Sequence, residues 1–245
     1  MVELRSNGNR GEEMAIYAIG DLHLPGGQAD KSMSVFGPVW ENHPQKLEVN
    51  WRRNVGGEDL VLVAGDISWA MGLPEAEADL CWLASLPGRK LLIRGNHDYW
   101  WSSISKVRRS LPQGVYALQN DHFCWEDWII CGTRGWLCPG EEGFAEPGDE
   151  KIYLREVQRL KLSLESAAGR EGKGLLVALH YPPFSRPQLP SGFTELMEQH
   201  GVQACVYGHI HNTEPEGVFQ GNLRGIDYYF VAADGVNFTP VLIRE

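Results

Sequence analysis

Short apolar runs that stop at a polar residue recur along the chain. In the clearest example, residues 60–64 read Leu-Val-Leu-Val-Ala and are followed by Gly65 and Asp66. An apolar run of this length that ends at a turn residue predicts a strand buried on both faces, as in a parallel sheet covered by helices. Because such sheets gather their chemistry at the carboxyl ends of the strands, Asp66 is the first candidate for a functional residue.

Four other apolar runs predict strands that also end at residues able to bind a metal ion or carry a proton. Side chains two positions apart in an extended chain point to the same side, so the first of these strands is expected to present an aspartate and a histidine together. The four strands and the residues that follow them are residues 15–19 with Asp21 and His23, residues 90–94 with Asn96, His97 and Asp98, residues 174–179 with His180, and residues 204–207 with His209 and His211.

Helices are predicted between these strands, and the alternation of strand and helix in the first half of the chain predicts right-handed crossovers within a parallel sheet. The expected helices cover about residues 44–54, 74–86, 99–110, 149–168 and 192–200. Asp149 is the expected N-cap of the fourth helix. Apolar residues at helical spacing predict the buried faces of two helices, with Ala78, Cys81, Trp82 and Leu86 in the second helix, and Leu154, Val157, Leu160 and Leu164 in the fourth.

The middle and the end of the chain follow a different pattern. Short runs at residues 115–118, 123–125 and 128–131 are joined by tight turns, which predicts an antiparallel meander. The last two runs, residues 225–232 and 238–244, are expected to form a terminal hairpin. Residues 1–13 are polar and lack the apolar core of a signal peptide, so we expect a flexible leader followed by one α/β domain over residues 14–245.

The net charge of the chain argues against one class of binding partner, nucleic acids. A formal net charge of −10 argues against a surface that binds nucleic acid, since such surfaces need clustered Lys and Arg. A small phosphorylated substrate stays compatible with this charge, because bound metal ions can reverse the local field. No apolar run reaches the roughly 18 residues of a membrane span, so no membrane partner is expected. The oligomeric state is left open.

The five cysteines favour free thiols. Cys124, Cys131 and Cys138 are evenly spaced, but this spacing matches neither C-x-x-C nor a His-paired zinc pattern. Reduced thiols are typical of the cytosol, and we expect a cytoplasmic protein.

The polar strand ends are best explained together. A single Gly-Asp after a strand is usually a turn or a helix cap, and a single histidine there is usually a hydrogen-bonded structural residue. Five of the eight histidines of the chain, however, stand at such ends, together with two aspartates and an asparagine. These side chains are the ligand types of borderline divalent ions, so the set predicts a metal site.

Taken in order, these motifs resemble those of the calcineurin-like metallophosphoesterases. The resemblance extends from about Ile16 to His211 and implies a compact, bacterial-type phosphoesterase. The fold that it implies is an αββα sandwich, in which two mixed β-sheets are flanked by helices. The motifs that carry it are Asp21-x-His23, Gly65-Asp66, Gly95-Asn96-His97-Asp98, His180 and Gly208-His209-x-His211.

The same resemblance implies a dinuclear site that holds two divalent ions, for which Mn, Fe or Zn would suit the ligands. Only two of the implied ligands are anionic, so the cluster would stay positive and attract a phosphate. By similarity, Asp21, His23 and His211 would hold one ion, Asn96, His180 and His209 would hold the other, and Asp66 would bridge both.

The implied reaction is hydrolysis of a phosphomonoester or phosphodiester by in-line attack of a metal-bridging hydroxide. The leaving oxygen needs a proton, and His97 is the expected general acid because it follows a ligand position without matching one. Asp98 is expected either to orient His97 or to stand in the first turn of a helix, where the dipole favours an acid. Asn96 and His97 are also expected to contact the substrate.

For other polar and aromatic residues near the motifs, the sequence leaves alternative roles open. Arg94 and Arg134 could both meet a phosphate oxygen, and Arg134 is preferred because it stands in a Gly-flanked loop. Trp69, Trp100 and Trp136 follow strand ends and would line the substrate mouth or pack the loops, whereas Trp82 and Trp101 are expected to pack. The remaining histidines are assigned to structure or surface, and they are His43, His122 and His200.

Two branches of the superfamily are disfavoured, and two rival interpretations remain. Asp66 runs into Ile67-Ser68 rather than Val-Asp-Arg-Gly, which argues against the Ser/Thr protein phosphatase branch of the superfamily. No long insertion resembles the DNA-binding parts of the nuclease relatives. Another metal-dependent hydrolysis or oxidation could use a similar ligand set, and a non-catalytic scaffold could use the same fold, although no ligand position is replaced here. A phosphorylated small molecule is the preferred substrate, with monoester and diester both open.

Overall fold

The fold is described from a computed structural model, which covers residues 14–27, 33–185, 189–213 and 217–245. The expected leader over residues 1–13 lies outside the described residues. No helix in these described ranges is both long and apolar enough to cross a membrane.

The strands of the described chain form two mixed sheets. The strands are β1 (Ile16–Ile19), β2 (Leu60–Val63), β3 (Arg89–Leu92), β4 (Val115–Ala117), β5 (His122–Trp125), β6 (Trp128–Thr133), β7 (Gly174–Leu179), β8 (Ala204–Tyr207), β9 (Gly221–Leu223), β10 (Ile226–Phe230) and β11 (Val241–Arg244). The first sheet has the order β11-β1-β2-β3-β4 and the second has the order β5-β6-β7-β8-β10-β9. In both sheets the inner strands pair in parallel, and antiparallel strands lie at the edges.

Helices cover the outer face of each sheet. The helices are α1 (His43–Asn54), α2 (Leu73–Ser85), α3 (Ile104–Ser110), α4 (Gly148–Ser166) and α5 (Gly192–Gln199), and two short 3-10 segments lie at Met33–Phe36 and Pro38–Trp40. Alternate strand residues face opposite ways, so Ile16 and Leu176 pack in the core between the sheets. Ile19 packs on the outer face with residues of α1, α2 and α3, and Val177 packs with residues of α4 and α5. This layering confirms the predicted αββα sandwich.

The predicted terminal hairpin is wrong, because the chain crosses from one sheet to the other just after β10. Val231 N donates to Tyr207 O at 2.8 Å in the second sheet, and Val231 O accepts from Gly20 N at 2.7 Å, at the end of β1. Ala233 N then donates to Gly20 O at 3.0 Å. β10 therefore pairs with β8, and β11 pairs with β1.

The predicted meander is wrong in its first strand. β4 pairs in parallel with β3, and α3 makes the crossover between them, so β4 belongs to the first sheet. Of the three strands predicted for the meander, β5 and β6 form an antiparallel hairpin. α3 begins at Ile104 rather than near Tyr99, because the preceding segment is held by its indoles. Trp100 Nε1 donates to Asp98 and Trp101 Nε1 donates to Gln119, each at 2.9 Å.

The predicted buried faces are right in part: Leu86 at the end of α2 is buried, and so are Leu160 and Leu164 in α4, where Val157 packs beside them. Each helix also buries an acid that the pattern did not place in the core. In α2 the buried residues are Ala76, Asp79, Leu80 and Leu83, whereas Ala78 and Cys81 are exposed. In α4 the buried face includes Glu156, and Leu154 is exposed. A carboxylate at a core position hides the true stripe, because the pattern scores it as a surface residue.

The N-cap prediction for α4 is also wrong. Pro147 stands at the N-cap, and Asp149 lies in the first turn. Its carboxylate accepts from Ala145 N at 2.8 Å and from Trp136 Nε1 at 2.9 Å, so it ties the preceding loop to the helix. The five cysteines are all free, as predicted.

Candidate metal centre

The polar strand ends of both sheets meet at one edge of the sandwich. His23 N donates to Asp66 O at 2.9 Å, which joins the ends of β1 and β2. Across the two sheets, His209 N donates to Asp21 Oδ2 at 3.0 Å. Within the second sheet, Gly208 N donates to His180 O at 3.0 Å. Backbone N–H groups therefore fix the loops that carry the predicted ligands to one another, through two carbonyl oxygens and the Asp21 carboxylate.

Four predicted ligands have left-handed backbone conformations. The φ angles are 57° for Asp21, 43° for His23, 50° for Asp66 and 73° for His209. Few residues other than glycine adopt this region, although aspartate and histidine do so more often than most. Such conformations cost energy, and they persist where the surrounding structure holds them, which is commonly at functional sites.

Two glycines allow the loops to approach closely. Gly65 has a φ of 85°, and a Cβ there would lie 2.8 Å from His180 Nδ1 and from Gly95 Cα. A Cβ at Gly95 would overlap Asp66 Oδ1. These two positions need glycine, because any larger residue would separate Asp66 from the ends of β3 and β7.

One group of potential ligands consists of Asp21, His23 and His211. Their ligand atoms all lie within 4.8 Å of one another. His23 Nε2 is 3.2 Å from His211 Nε2, and His211 Nε2 is 3.5 Å from Asp21 Oδ1. Asp21 and His23 are buried, and His211 is partly exposed.

The second group consists of Asp21, Asp66 and His180, all buried. Asp66 Oδ2 is 3.5 Å from His180 Nε2 and 3.9 Å from His23 Nε2, so it lies between the two groups. His180 Nε2 is also 2.7 Å from Asn96 Oδ1. Asp21 is the member of both groups, and the role of Asp66 as a ligand shared by two ions stays a prediction.

His209 lies at the side of the second group. Its ring centroid is 5.0 Å from that of His180 and 3.8 Å from that of Tyr181. It belongs to neither of the two clusters of ligand atoms found in the described part of the chain. Its role as a ligand stays a prediction.

Hydrogen bonds fix which nitrogen of two histidines faces the site. His180 Nδ1 is 3.0 Å from Ala64 O, and His211 Nδ1 is 2.9 Å from Asp234 Oδ1. Both partners are acceptors, so each Nδ1 carries the proton and each Nε2 presents a lone pair to the site. Those nitrogens face the carboxylates of Asp66 and Asp21, each at 3.5 Å, and acceptors that face one another need a proton or a metal ion between them.

The electrostatics of the site agree with that requirement. Burial lowers the pKa of His180 and that of His209 to about 3, so both imidazoles are neutral. Burial raises the pKa of Asp21 well above its ordinary value, and Asp21 Oδ1 has no hydrogen-bond partner among the described residues. Neutral imidazoles and buried carboxylates are the donors that divalent ions of the Mn, Fe and Zn type accept, so these residues fit such ions.

Asp234 bonds to a predicted ligand, at 2.9 Å from His211 Nδ1, and the sequence analysis did not single it out. Burial alone would raise the pKa of Asp234, but its bond from His211 holds that pKa below the ordinary value. In return, the pKa of His211 is raised, because the bond to Asp234 and the nearby Asp21 outweigh the effect of burial. The sequence held a signal for Asp234, because an Asp-Gly pair, Asp234-Gly235, comes a few residues after β10, much as Gly-Asp pairs follow β1 and β2.

His97 lies beside the predicted ligands. Its backbone N donates to Asp66 Oδ1 at 2.8 Å. Its ring centroid is 4.8 Å from that of Trp69 and 5.9 Å from that of His23. Its Nδ1 is buried and finds no hydrogen-bond partner in the ranges that the structure describes. The ring therefore adjoins the site, and this nitrogen is not held by the surrounding protein.

Asp98 makes no hydrogen bond to the His97 ring among the described residues, so its role in orienting His97 stays a prediction, whereas its alternative place in the first turn of a helix is wrong. Asp98 is fully buried, and α3 begins after it. Burial raises its pKa to about 6. Its oxygens accept at 2.7 to 3.2 Å from other groups, namely the backbone N–H groups of Gly95, Ile67 and Ser68 and the indole of Trp100. Asp98 thus ties the loops after β2 and β3 together.

Arg134 is close to the site but is partly engaged. Its Nη2 is 3.2 Å from Glu156 Oε1, and its guanidinium lies 4.5 Å from the ring of Trp136. Glu156 is fully buried and also accepts from Thr133 Oγ1 at 2.6 Å and Arg159 Nη1 at 2.7 Å. Burial raises the pKa of Asp66, and the positive charge of the Arg134 guanidinium opposes part of that rise.

The tryptophans divide between the two roles considered for them. Trp69 stacks on His23 with 5.0 Å between the ring centroids, whereas Trp100 and Trp101 are buried in the core. Trp40, which the motifs did not single out, packs edge-on against His23 at 5.8 Å and His211 at 5.6 Å. One side of the site is thus walled by indoles.

The three histidines outside the motifs bond to nearby structural groups. Both ring nitrogens of His43 are 3.3 Å from carbonyl oxygens, one of Trp40 and one of His23. His122 Nδ1 is 2.9 Å from Ser166 Oγ, and His200 Nδ1 is 2.9 Å from Leu196 O.

Known proteins share parts of this sequence. Two curated relatives are the Gene 66 proteins of Mycobacterium phages D29 and L5, which are 39% identical over 84 residues and 43% identical over 58 residues. The matched regions are 34% and 24% of this chain, and they span only 40% and 28% of the phage proteins.

Solved structures with the same fold are more distant in sequence. The phosphopantetheinyl hydrolase of Mycobacterium tuberculosis has a TM-score of 0.56 at 15% identity, over 91% of this chain and 90% of that protein. A protein of unknown function from Aquifex aeolicus has a TM-score of 0.51 at 14% identity, over 94% and 96%. At such identities the likeness concerns the fold alone.

The family model of the calcineurin-like phosphoesterases matches residues 14–213, a range that holds every predicted ligand. This range is also most of the described sandwich, and it contains the strand ends that meet at the metal centre. The chain therefore belongs to the calcineurin-like phosphoesterase family.

Proposed function

We propose that this chain is a dinuclear metal-dependent phosphoesterase that hydrolyses a phosphomonoester or phosphodiester of a small molecule. The observation that carries the proposal is the convergence of buried carboxylates and imidazole lone pairs at one edge of the sandwich. Membership of the family supplies the reaction class, and the donor chemistry supports the metal dependence.

The proposed assignment of ligands combines the two groups of donors with the resemblance of the motifs, which adds Asn96 and His209 and assigns Asp21 to one ion only. Asp66 would contact both ions, since its Oδ2 faces imidazole nitrogens on both sides. Bound divalent ions of the Mn, Fe or Zn type would polarise the phosphoryl oxygens and lower the pKa of a shared water. The remaining ligands would be Asp21, His23 and His211 for one ion, and Asn96, His180 and His209 for the other.

His97 is the proposed general acid. The bond from its backbone N to Asp66 Oδ1 holds it next to the shared ligand, and its buried Nδ1 is without a partner among the described residues. A histidine in this position can give its proton to the leaving oxygen. Asp98 would act as a positioning residue through the two loops that it ties, because its oxygens are taken by groups other than His97.

The substrate phosphate would be held by the chain's own donors as well. Arg134 is the preferred cation, since its fork of N–H groups matches phosphate oxygens and its Nε is buried without a partner in the described chain. Glu156 keeps the guanidinium in place at 3.2 Å. The Asn96 amide and the His97 ring would contact the same phosphate.

A scaffold without catalysis is the alternative. A scaffold has no need of metal ligands, and the predicted ligand residues are all present in this chain, which favours the enzyme. Net charge still argues against nucleic acid as a partner, and a cytoplasmic location remains the expectation from the free thiols.

The test is an assay of the chelator-treated protein, reconstituted with Mn, Fe or Zn. p-Nitrophenyl phosphate and bis-p-nitrophenyl phosphate are used side by side, which also separates monoesterase from diesterase activity. We expect no turnover without metal, turnover after reconstitution, and none for Asp66→Ala. The control is Asp127→Ala, an exposed carboxylate in the turn between β5 and β6, which should behave as the parent protein. Metal-independent turnover, or an active Asp66→Ala, would overturn the proposal.

A further inference from the structure

An apolar cleft opens directly beside the metal centre. It has a volume of about 180 Å³. Its wall is formed by four side chains from the 3-10 segments and the loop after β2, namely Met33, Phe36, Trp40 and Trp69. None of the described residues that line it is an Asp, Glu, Lys or Arg.

The cleft is held in shape by contacts among its own lining. Trp69 Nε1 donates to Met33 Sδ at 3.1 Å, and the Trp69 ring lies 5.0 Å from that of His23. Trp40 is almost fully buried and packs edge-on against Phe238 at 5.3 Å. Phe36 differs, since 56% of it is exposed, and it forms the outer lip.

The polar side of the cleft identifies which part of a substrate would enter it. His97, the proposed general acid, lines it together with His23 and His211, both proposed ligands of one ion. A general acid must lie within hydrogen-bond reach of the oxygen that leaves. The group attached to that oxygen therefore lies on the His97 side of the phosphate, which is the side of the cleft.

We propose that this cleft binds the leaving group of the substrate, and that this group is a compact apolar moiety such as one six-membered ring. The inference rests on the proposed function. Size supports it, because an apolar protein cavity of about 150 Å³ accepts a benzene molecule. Indole faces and edges would pack on such a ring, which is the usual gain from aromatic contacts.

The same chemistry disfavours two other leaving groups. A second phosphate would find no cationic side chain among the described lining residues. A nucleoside would place its ribose next to the phosphate, so its hydroxyl groups would be buried against Trp40 and Trp69. Polar groups buried without hydrogen bonds cost free energy, and this cost would act against such a substrate.

The test compares benzyl phosphate with ethyl phosphate on the metal-reconstituted protein. The two leaving alcohols are of similar acidity, so a difference in kcat/KM reports on contacts rather than on leaving-group chemistry. We expect benzyl phosphate to be preferred by about tenfold, the scale of one aromatic contact of roughly 1.4 kcal/mol. Phe36→Ser should reduce this ratio. Val35→Ser is the matched control, because Val35 is 80% exposed, adjacent in sequence and not part of the lining.

Binding gives a second readout that does not depend on turnover. Benzylphosphonate and ethylphosphonate are titrated by calorimetry into the reconstituted parent protein and the Phe36→Ser variant. We expect tighter binding of benzylphosphonate, and a smaller difference in the variant. Equal kcat/KM values for the two esters together with equal binding of the two phosphonates would overturn the inference and leave the phosphoesterase in place. Failure to hydrolyse any phosphoester with any of the three metals would instead overturn the proposed function.

Discussion

The metal centre has two unlike sides. Around His23 and His211 the surroundings are indoles and an apolar cleft, and this part is called the aromatic side. Around His180 and Asn96 the surroundings are Arg134 and its partner Glu156, and this part is called the charged side. The proposed ligands of the two sides are chemically alike, so the difference lies in what surrounds them.

This difference suggests a division of labour. Buried charges are stable only when they are paired, and the charged side keeps its guanidinium because Glu156 compensates it. That arrangement suits the phosphate, which needs fixed positive charge. The aromatic side offers contact area without charge, which suits the organic group of the ester. The two halves of a phosphoester would thus find two matching halves of the site.

Replacing the proposed general acid should have the largest effect on the aromatic side. We expect His97→Ala to keep its metal ions but to hydrolyse ethyl phosphate about 100-fold or more slowly, the usual contribution of a general acid. p-Nitrophenyl phosphate should slow far less, because nitrophenolate leaves without a proton.

The measurement is kcat/KM for both esters, with metal content determined on the same samples. His122→Ala is the control, because His122 is a half-buried histidine on β5 that bonds to Ser166. If His97→Ala loses metal, or slows both esters equally, the division between ligands and proton donor is wrong.

The two sides also differ in how they orient a histidine. On the aromatic side the Asp234 side chain accepts from His211, whereas on the charged side the Ala64 carbonyl accepts from His180. We therefore expect Asp234→Ala to weaken binding of one ion by about 10- to 100-fold and to spare the other, as is usual when a partner of a ligand is lost. Calorimetric titration with Mn or Zn separates the two events, and equal loss at both sites would contradict the comparison.

A substitution on the charged side should act on phosphate binding. We expect Arg134→Gln to raise KM for p-nitrophenyl phosphate by about tenfold, since hydrogen bonds to charged groups contribute roughly 1.5–3 kcal/mol. Metal content should not change. Arg159→Gln is the matched control, because Arg159 contacts the same Glu156 at 2.7 Å but is not placed at the phosphate. Similar KM changes in both variants would show that Arg134 acts only through Glu156.

Lys90 allows a smaller test of the principle that a buried charge destabilises the fold unless an opposite charge compensates it. Glu156 is paired with arginines, whereas the Lys90 Nζ donates to the carbonyl oxygens of Leu86 and Gly88. Among the described residues, no carboxylate forms an ion pair with Lys90. Burial lowers the pKa of Lys90 to about 8. Between about pH 8 and 10.4 the unfolded chain binds more protons at this lysine, so its contribution to the free energy of unfolding rises with pH.

Lys90→Met removes this contribution. We expect the difference in the free energy of unfolding, parent minus Lys90→Met, to rise by at most about 1.4 kcal/mol per pH unit over that range. Denaturant unfolding at several pH values measures it. A difference that stays constant with pH would show that the buried ammonium is not destabilised.

The sequence predicted the strand ends well, because a glycine and a ligand residue after an apolar run mark a local feature. β7 and β8 have the predicted bounds, and the motif residues of the first sheet and the second meet at one edge. The αββα layering came from the resemblance of the motifs to a family rather than from periodicity.

Long-range features were not readable from the pattern. The crossing of the chain at Val231 depends on bonds to Tyr207 and Gly20, which are distant in sequence, and the hairpin prediction could not foresee it. Glu156 was not among the residues predicted for the buried face of its helix, because a carboxylate is usually exposed, and in the structure two arginines and a threonine compensate its burial. The bonds that Asp98 accepts from the loop after β2 were not foreseen, because that loop is distant in sequence.

The central claim is that two cations share Asp66 between the aromatic side and the charged side. The most direct measurement is the metal content of the purified, Mn- or Zn-reconstituted protein, determined by plasma mass spectrometry together with protein concentration. The account predicts two ions per chain in the parent protein and the loss of both, or nearly so, in Asp66→Ala. One ion or none in the parent, or two ions retained in Asp66→Ala, would contradict it.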